Sequence, residues 1–303
     1  MAANQVRKGA ESDLGGGEGL GSVHGPILRA GRDLRLQDPE REAIHLLYDS
    51  GMAVPRELAG KVALVTGGAR NIGRAIACAL AEGGAAVMVN ARTSRAEADE
   101  TAAMVRAGGA RAAVHFADVT DPAEVAAMVE ATIEELGRLD LLVNNAAIRA
   151  ETPFAEMKLD EWHRVLSTVL DGAFVCAQAC LPHLVRSGAG AVVNIGGMTA
   201  HQGASGRAHV VTAKAGLVGL TKALAHELAA QQVTVNCVVP GTIETVRGLP
   251  GAPPRPAHRQ GLPALGRRGE PAEVAAAVRY LCGPGARYVT GQTVHVNGGG
   301  YMA

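Results

Sequence analysis

The sequence predicts an α/β fold, a doubly wound parallel sheet, on three observations. Lys61–Ala77, KVALVTGGARNIGRAIA, reads as a buried strand, a glycine-rich turn and a helix in immediate succession. Downstream, short apolar runs alternate with helical stretches long enough to serve as crossovers, the arrangement that gives parallel pairing. No tandem repeat interrupts that alternation, so 59–303 reads as a single domain behind an N-terminal extension at 1–58.

In chain order, residues 1–58 carry Gly15-Gly16-Gly17-Glu18-Gly19, scattered charges and little apolar periodicity. That is the composition of a largely flexible extension. One short helix is predicted in it near 39–50, with Asp38 as cap, Pro39 in the first turn and Gly51 at the end. Ile44, Leu47 and Tyr48 fall on one of its faces. Strands are then expected at Lys61–Val65, Ala85–Asn90, Ala113–Phe116, Leu139–Val143, Ala191–Ile195, Val233–Val239 and Thr293–Val296. Helices are expected from Arg74 onward and at Glu124–Leu136, Asp160–Arg186, Thr212–Ala230 and Glu270–Leu281. Strands this uniformly apolar suit a sheet covered by helices on both faces.

The 303 residues balance 29 basic against 29 acidic side chains, which argues against a nucleic-acid or anionic-membrane partner. With 48% hydrophobic and 19% charged residues the chain has the composition of a soluble globular protein. No apolar run reads as an uninterrupted membrane span. The cysteines, Cys78, Cys176, Cys180, Cys237 and Cys282, form no CxxC pair, the pattern of a reduced, cytoplasmic setting and not of a metal site.

The turn Thr66-Gly67-Gly68-Ala69-Arg70-Asn71-Ile72-Gly73 is built as an anion site, because backbone N–H groups and a helix dipole there point at a bound phosphate. Asn71, within the turn, is the non-glycine residue type that best tolerates a left-handed backbone. Four further stretches follow in order: Asp118-Val119; Asn144-Asn145-Ala146-Ala147; Pro240-Gly241-Thr242-Ile243-Glu244-Thr245; and Gly291-Gln292-Thr293 leading to Asn297-Gly298-Gly299. Together with the glycine turn they resemble the short-chain dehydrogenase/reductase family from Leu58 to the C-terminus. The resemblance implies a Rossmann-like domain, a nicotinamide cofactor, a small-molecule substrate and a homodimer or homotetramer.

By that resemblance Thr66, Gly67, Arg70, Asn71, Ile72 and Gly73 cradle the cofactor phosphates. Asp118, with Val119, meets the adenine, and Asn144 and Ala146 border the adenosine ribose. Lys214 binds the nicotinamide ribose, and Pro240, Gly241, Ile243 and Thr245 frame the nicotinamide. Cofactor choice follows from charge. The second strand ends Val89-Asn90-Ala91-Arg92-Thr93, without the carboxylate that would accept a ribose 2′-hydroxyl. Arg70 and Arg92 instead offer charge-assisted bonds to a 2′-phosphate, favouring NADP(H) over NAD(H).

The catalytic pattern is broken. The family reduces a carbonyl with an Asn in the long helix, a Ser after the fifth strand and Tyr-x-x-x-Lys in the next helix. Lys214 is present, but Val210 stands in the Tyr position, Gly197 in the Ser position and Val169 in the Asn position. The four tyrosines of the chain are Tyr48, Tyr280, Tyr288 and Tyr301, none near Lys214 in sequence. Substitute acids nearby are His209, one residue off the Lys214 face of its helix, and Thr199 and His201 in the loop past Gly197. Residues 246–268, rich in proline and arginine, occupy the place of the family's substrate lid.

Three function classes follow. The first is an NADP(H)-dependent oxidoreductase with a non-standard acid, which the family resemblance places first. The second is a redox-neutral enzyme on the same fold, such as an isomerase, lyase or cyclase. The third is a binding protein without catalysis.

Overall fold

The computed structural model describes residues 56–245 and 262–302. The helix expected near 39–50, and residues 246–261 of the lid segment, lie outside the described residues. Seven parallel strands form one sheet: β1 Val62–Val65, β2 Ala86–Ala91, β3 Ala112–Phe116, β4 Leu141–Asn144, β5 Ala191–Ile195, β6 Thr234–Pro240 and β7 Thr293–Val296. Their spatial order is β3-β2-β1-β4-β5-β6-β7. The reversal between β1 and β4 opens a crevice at the carboxyl ends of those two strands, where ligands of such sheets bind.

The helices are α1 Asn71–Glu82, α2 Arg95–Ala107, α3 Pro122–Leu136, α4 Leu159–Leu166, α5 Gly172–Arg186, α6 Thr199–Gln202, α7 Ala208–Leu228 and α8 Pro271–Cys282. Alternate residues of β1 divide between two cores. Ala63 and Val65 pack with Ile76 and Leu80 of α1, Val105 of α2 and Val278 of α8. Val62 and Leu64 pack with Val125 and Met128 of α3, Cys176 and Cys180 of α5 and Leu228 of α7. β1 is thus covered on both faces, which is why its sequence is apolar throughout rather than alternating.

Local chemistry sets the helix ends. Asp121 caps α3 by accepting hydrogen bonds from Ala123 N (2.8 Å) and Glu124 N (3.2 Å), Pro122 starts the helix, and Gly137 ends it at φ +93°. Glu270 and Glu273 form a reciprocal capping box at the start of α8. The sequence reading has no counterpart to α2. Its inner face is Ala98, Thr101, Ala102 and Val105, side chains too small or polar to stand out as a stripe.

The helical stretch at Asp160–Arg186 is continuous but not uniform. A π turn, Ser167–Asp171, joins α4 to α5 and places Val169 inward. By length and composition alone Leu159–Arg186 is long and apolar enough to cross a membrane, a stretch the sequence reading did not single out. One face of it, Cys176, Cys180 and Leu184, is buried against the sheet.

Candidate cofactor site and catalytic cleft

The glycine turn leaves β1 and enters α1 with little room to spare. Gly67 has φ +59° and Asn71 has φ +52°, so the asparagine adopts the left-handed conformation that its position calls for. A Cβ on Gly73 would sit 2.2 Å from Gly67 O, so no side chain fits there. Asn145 ties the turn down from β4: its Nδ2 donates to Thr66 O and Gly67 O, both at 2.9 Å. Thr66 Oγ1 in turn accepts from Asn145 N (3.0 Å) and Ala146 N (3.1 Å). Asn90, at the end of β2, accepts from Gly67 N (3.3 Å) and donates to Ala117 O (3.1 Å). These side chains lock the strand ends around the turn, and its glycines let the backbone pack against Val65, Val89, Asn145 and Ala146. A strand, a tight turn and a helix N-terminus in that order form a cradle that suits a dinucleotide phosphate.

Around the cradle stand the residues the sequence singled out. Arg70 immediately precedes α1 and is exposed; Ile72 packs partly into the core behind the turn. Arg92 follows β2, 61% exposed, with Nη1 3.3 Å from Asp118 Oδ2. Asp118 also accepts from Thr120 N (3.0 Å) and Thr120 Oγ1 (2.8 Å). Burial raises the Asp118 pKa, but the Thr120 hydrogen bonds and the Arg92 charge outweigh it and hold the carboxyl below its ordinary value. Val119 is buried beneath, against Gly172 at the start of α5. On the far side Pro240 ends β6. Gly241 N donates to Val296 O (2.9 Å), and Ile243 bridges to Gly269. Thr245 ends the described part of that wall. The donor set and the glycine turn fit a nicotinamide dinucleotide, with Arg70 and Arg92 exposed beside them.

The buried Asn144 side chain, at the end of β4, turns into the fold: Nδ2 donates to Asn194 Oδ1 (2.9 Å) and Ala173 O (3.4 Å). Asn194 passes the chain on to Thr221 Oγ1 (2.9 Å). Ala146, two residues past the strand, is half-buried beside Gly67.

At the cleft, Lys214 of α7 is 8% exposed and its Nζ donates to Ile195 O at the end of β5. Burial, aided by the charge of Arg149 and opposed by Cys237, brings its pKa down to about 8. Cys237, on β6, is pushed up to about 11, chiefly by burial, and stays a neutral thiol. Val210 is half-buried one turn before Lys214. At Gly197 a Cβ would meet only Lys214 Cγ, at 3.9 Å, an ordinary contact. Val169 is buried with Ala213 and Leu217 in an apolar cluster between the π turn and α7.

The substitute acids go elsewhere. His209 is wholly buried on the stripe of Ala213 and Leu217, its Nε2 3.3 Å from Glu161 Oε1 of α4. Thr152 Oγ1 donates to the same oxygen at 2.8 Å. His209 therefore clasps α7 to α4, on a different face from Lys214. Thr199 and His201 lie on α6, a single helical turn and not the expected loop. The His201 ring stands edge-on to His295 with centroids 4.6 Å apart, and 5.5 Å from Tyr301, so it packs toward the C-terminal strand. Sequence spacing alone could not supply the partners Glu161 and His295, which come from distant parts of the chain.

A family profile described as Enoyl-(Acyl carrier protein) reductase matches residues 67–301. A 3-oxoacyl-[acyl-carrier-protein] reductase FabG of Staphylococcus aureus is 41% identical over 244 residues, covering 80% of this chain and 98% of that protein. The FabG of Vibrio cholerae is 42% identical over 247 residues, covering 81% and 99%. Among solved structures, a Serratia marcescens short-chain dehydrogenase/reductase variant superposes with a TM-score of 0.74 at 35% identity, covering 80% of this chain and 99% of its own. A dehydrogenase/reductase from Sinorhizobium meliloti gives 0.76 at 33% identity, covering 84% and 100%. The ordered motifs, the seven-stranded sheet with its glycine cradle, and relatives matched over nearly their whole length together establish that the chain belongs to the short-chain dehydrogenase/reductase family.

Proposed function

We propose that the chain is an NADP(H)-dependent oxidoreductase acting on the carbonyl or alcohol of a small molecule, with 3-oxoacyl thioesters the first class to test. The observation that carries this reading is the cradle, kept with Arg70 and Arg92 beside it although three of the four catalytic positions have changed. A scaffold without a dinucleotide has no chemical need for Arg70, Arg92 and Asp118 around that turn, whereas Gly73 by itself answers to packing, its Cβ position lying 2.2 Å from Gly67 O. When bound, the nicotinamide supplies a hydride to carbon. The protein's part is to orient the substrate oxygen and provide its proton. With Val210, Gly197 and Val169 in place, that proton must travel by another route than the family's, and turnover is expected to be slow. On adding an acetoacetyl thioester to protein and NADPH, cofactor absorbance should fall slowly and a 3-hydroxy product should appear. No oxidation while NADPH demonstrably binds would defeat the reading.

The apolar replacements favour one second reading, a redox-neutral reaction on the same fold. It would show as substrate conversion with no net change in NADPH.

We also propose a cytoplasmic homo-oligomer. All five cysteines are free thiols in the structure, as a reducing compartment would keep them. On α5, Phe174 is 49% exposed and Val185 lies on the surface, large apolar side chains that a second copy would cover. Light scattering at micromolar concentration should give a dimer or tetramer mass; a monomer mass would refute the assembly.

A further inference from the structure

We infer that Lys214 is itself the acid, its ammonium delivering a proton directly to the substrate oxygen in the space left by the missing Tyr and Ser. The inference rests on the oxidoreductase reading above. Three observations carry it.

First, position: Lys214 is the one ionisable group left among the four catalytic positions, and the alternatives His209 and His201 are engaged with Glu161 and with His295 and Tyr301. Second, room: a Cβ at Gly197 would have only Lys214 Cγ within 4 Å, at 3.9 Å, so the place of the family's Ser is open space beside the lysine stem. Half-buried Val210 adds no polar group to compete for it. Third, donor count: an ammonium has three N–H groups. One is committed to Ile195 O, which aims the side chain along the end of β5. Two remain, enough for a ribose hydroxyl and for the substrate oxygen together.

The acidity fits the task. The titratable groups acting on Lys214 are Arg149, from the segment after β4, and the neutral Cys237 thiol of β6. With burial they leave an ammonium whose pKa, about 8, lies close to working pH, where a general acid is most effective. The balance is simple. The oxygen takes one proton from Lys214 Nζ as carbon takes the hydride pair, leaving an alcohol and a neutral amine. Solvent then returns the proton to the amine.

Because the acid must be protonated, activity should be level below the Lys214 pKa and fall tenfold per pH unit above it. Two independent readings test this. The ¹³C NMR shift of Lys214 Cε in the cofactor-free protein, assigned by its loss in Lys214→Met, should titrate near pH 8. The kcat/KM for an acetoacetyl thioester with NADPH should bend at the same pH. Lys214→Arg keeps a charge at the ribose but cannot release a proton. It should hold NADPH within about threefold yet lose on the order of 10²–10⁴ in kcat. Small primary amines should partly rescue Lys214→Ala. Turnover level to pH 10, or a Lys214→Arg variant as fast as wild type at saturating NADPH, would overturn the Lys214 role and leave the oxidoreductase reading standing. Bound NADPH with no turnover at any pH would end both.

Discussion

Replacing Val210 with Tyr and Gly197 with Ser together is expected to raise NADPH-dependent ketone reduction by about 10²–10⁴-fold, the usual worth of a positioned acid. The structure favours both changes. A Ser Cβ at Gly197 would meet only Lys214 Cγ at 3.9 Å, an ordinary contact, so the hydroxyl enters space that is already open. Val210 lies one helical turn before Lys214 and is half-buried, so Val210→Tyr places a phenol over the lysine that lowers its pKa in related enzymes. Val169→Asn is not an equivalent third step. That residue is sealed among Ala213 and Leu217, and an unpartnered amide buried there costs about 1–3 kcal/mol. Initial rates with a small activated ketone, with NADPH affinity measured in parallel for wild type and double variant, decide the matter. No gain despite intact NADPH binding would mean that the pocket has left ketoreductase chemistry.

Arg92→Ala is expected to weaken NADPH by about 10–100-fold and leave NADH nearly unchanged, since a charge-assisted hydrogen bond contributes about 1.5–3 kcal/mol. The guanidinium is mostly exposed and, among the described residues, is held by the Asp118 carboxylate at 3.3 Å, a surface ion pair of small intrinsic strength. A 2′-phosphate offers more charge and more acceptors than that carboxylate, so it can take Arg92 over while Asp118 turns to the adenine. Neighbouring Ala91 presents no acid to repel the phosphate. Calorimetric titration of both cofactors into both proteins gives four affinities. Equal losses for NADPH and NADH, or a wild type preferring NADH, would remove the arginine from cofactor selection.

Much of this architecture was legible in the residues. The strands fall within about two residues of where apolar β-branched runs put them, most clearly the central ones, which are buried on both faces. Asn71 is equally transparent: its residue type forecasts the positive φ found there. Other features resist a linear reading for physical reasons. Helix α2 turns small side chains to the sheet and carries little hydrophobic signal. The inward turn of Asn144 depends on where β4 ends, a boundary that spacing fixes only to within a residue or two. The partners of His209 and His201 are brought in by tertiary packing from 48 and 94 residues away (209 − 161; 295 − 201).

The π turn at Ser167–Asp171 has a further, purely rotational meaning. A turn closed between residues i and i+5 holds one residue more than an α-helical turn, and each residue advances a helix by about 100°. Everything after the turn is therefore out of phase with everything before it. Upstream, Glu161 addresses His209 on α7; downstream, Cys176, Cys180 and Leu184 address the sheet. One continuous rod thus faces two directions, and removing the extra residue would swing the downstream stripe away from the sheet by roughly a quarter of a circle. The turn is held by what lies beyond it, with Val169 buried at its centre.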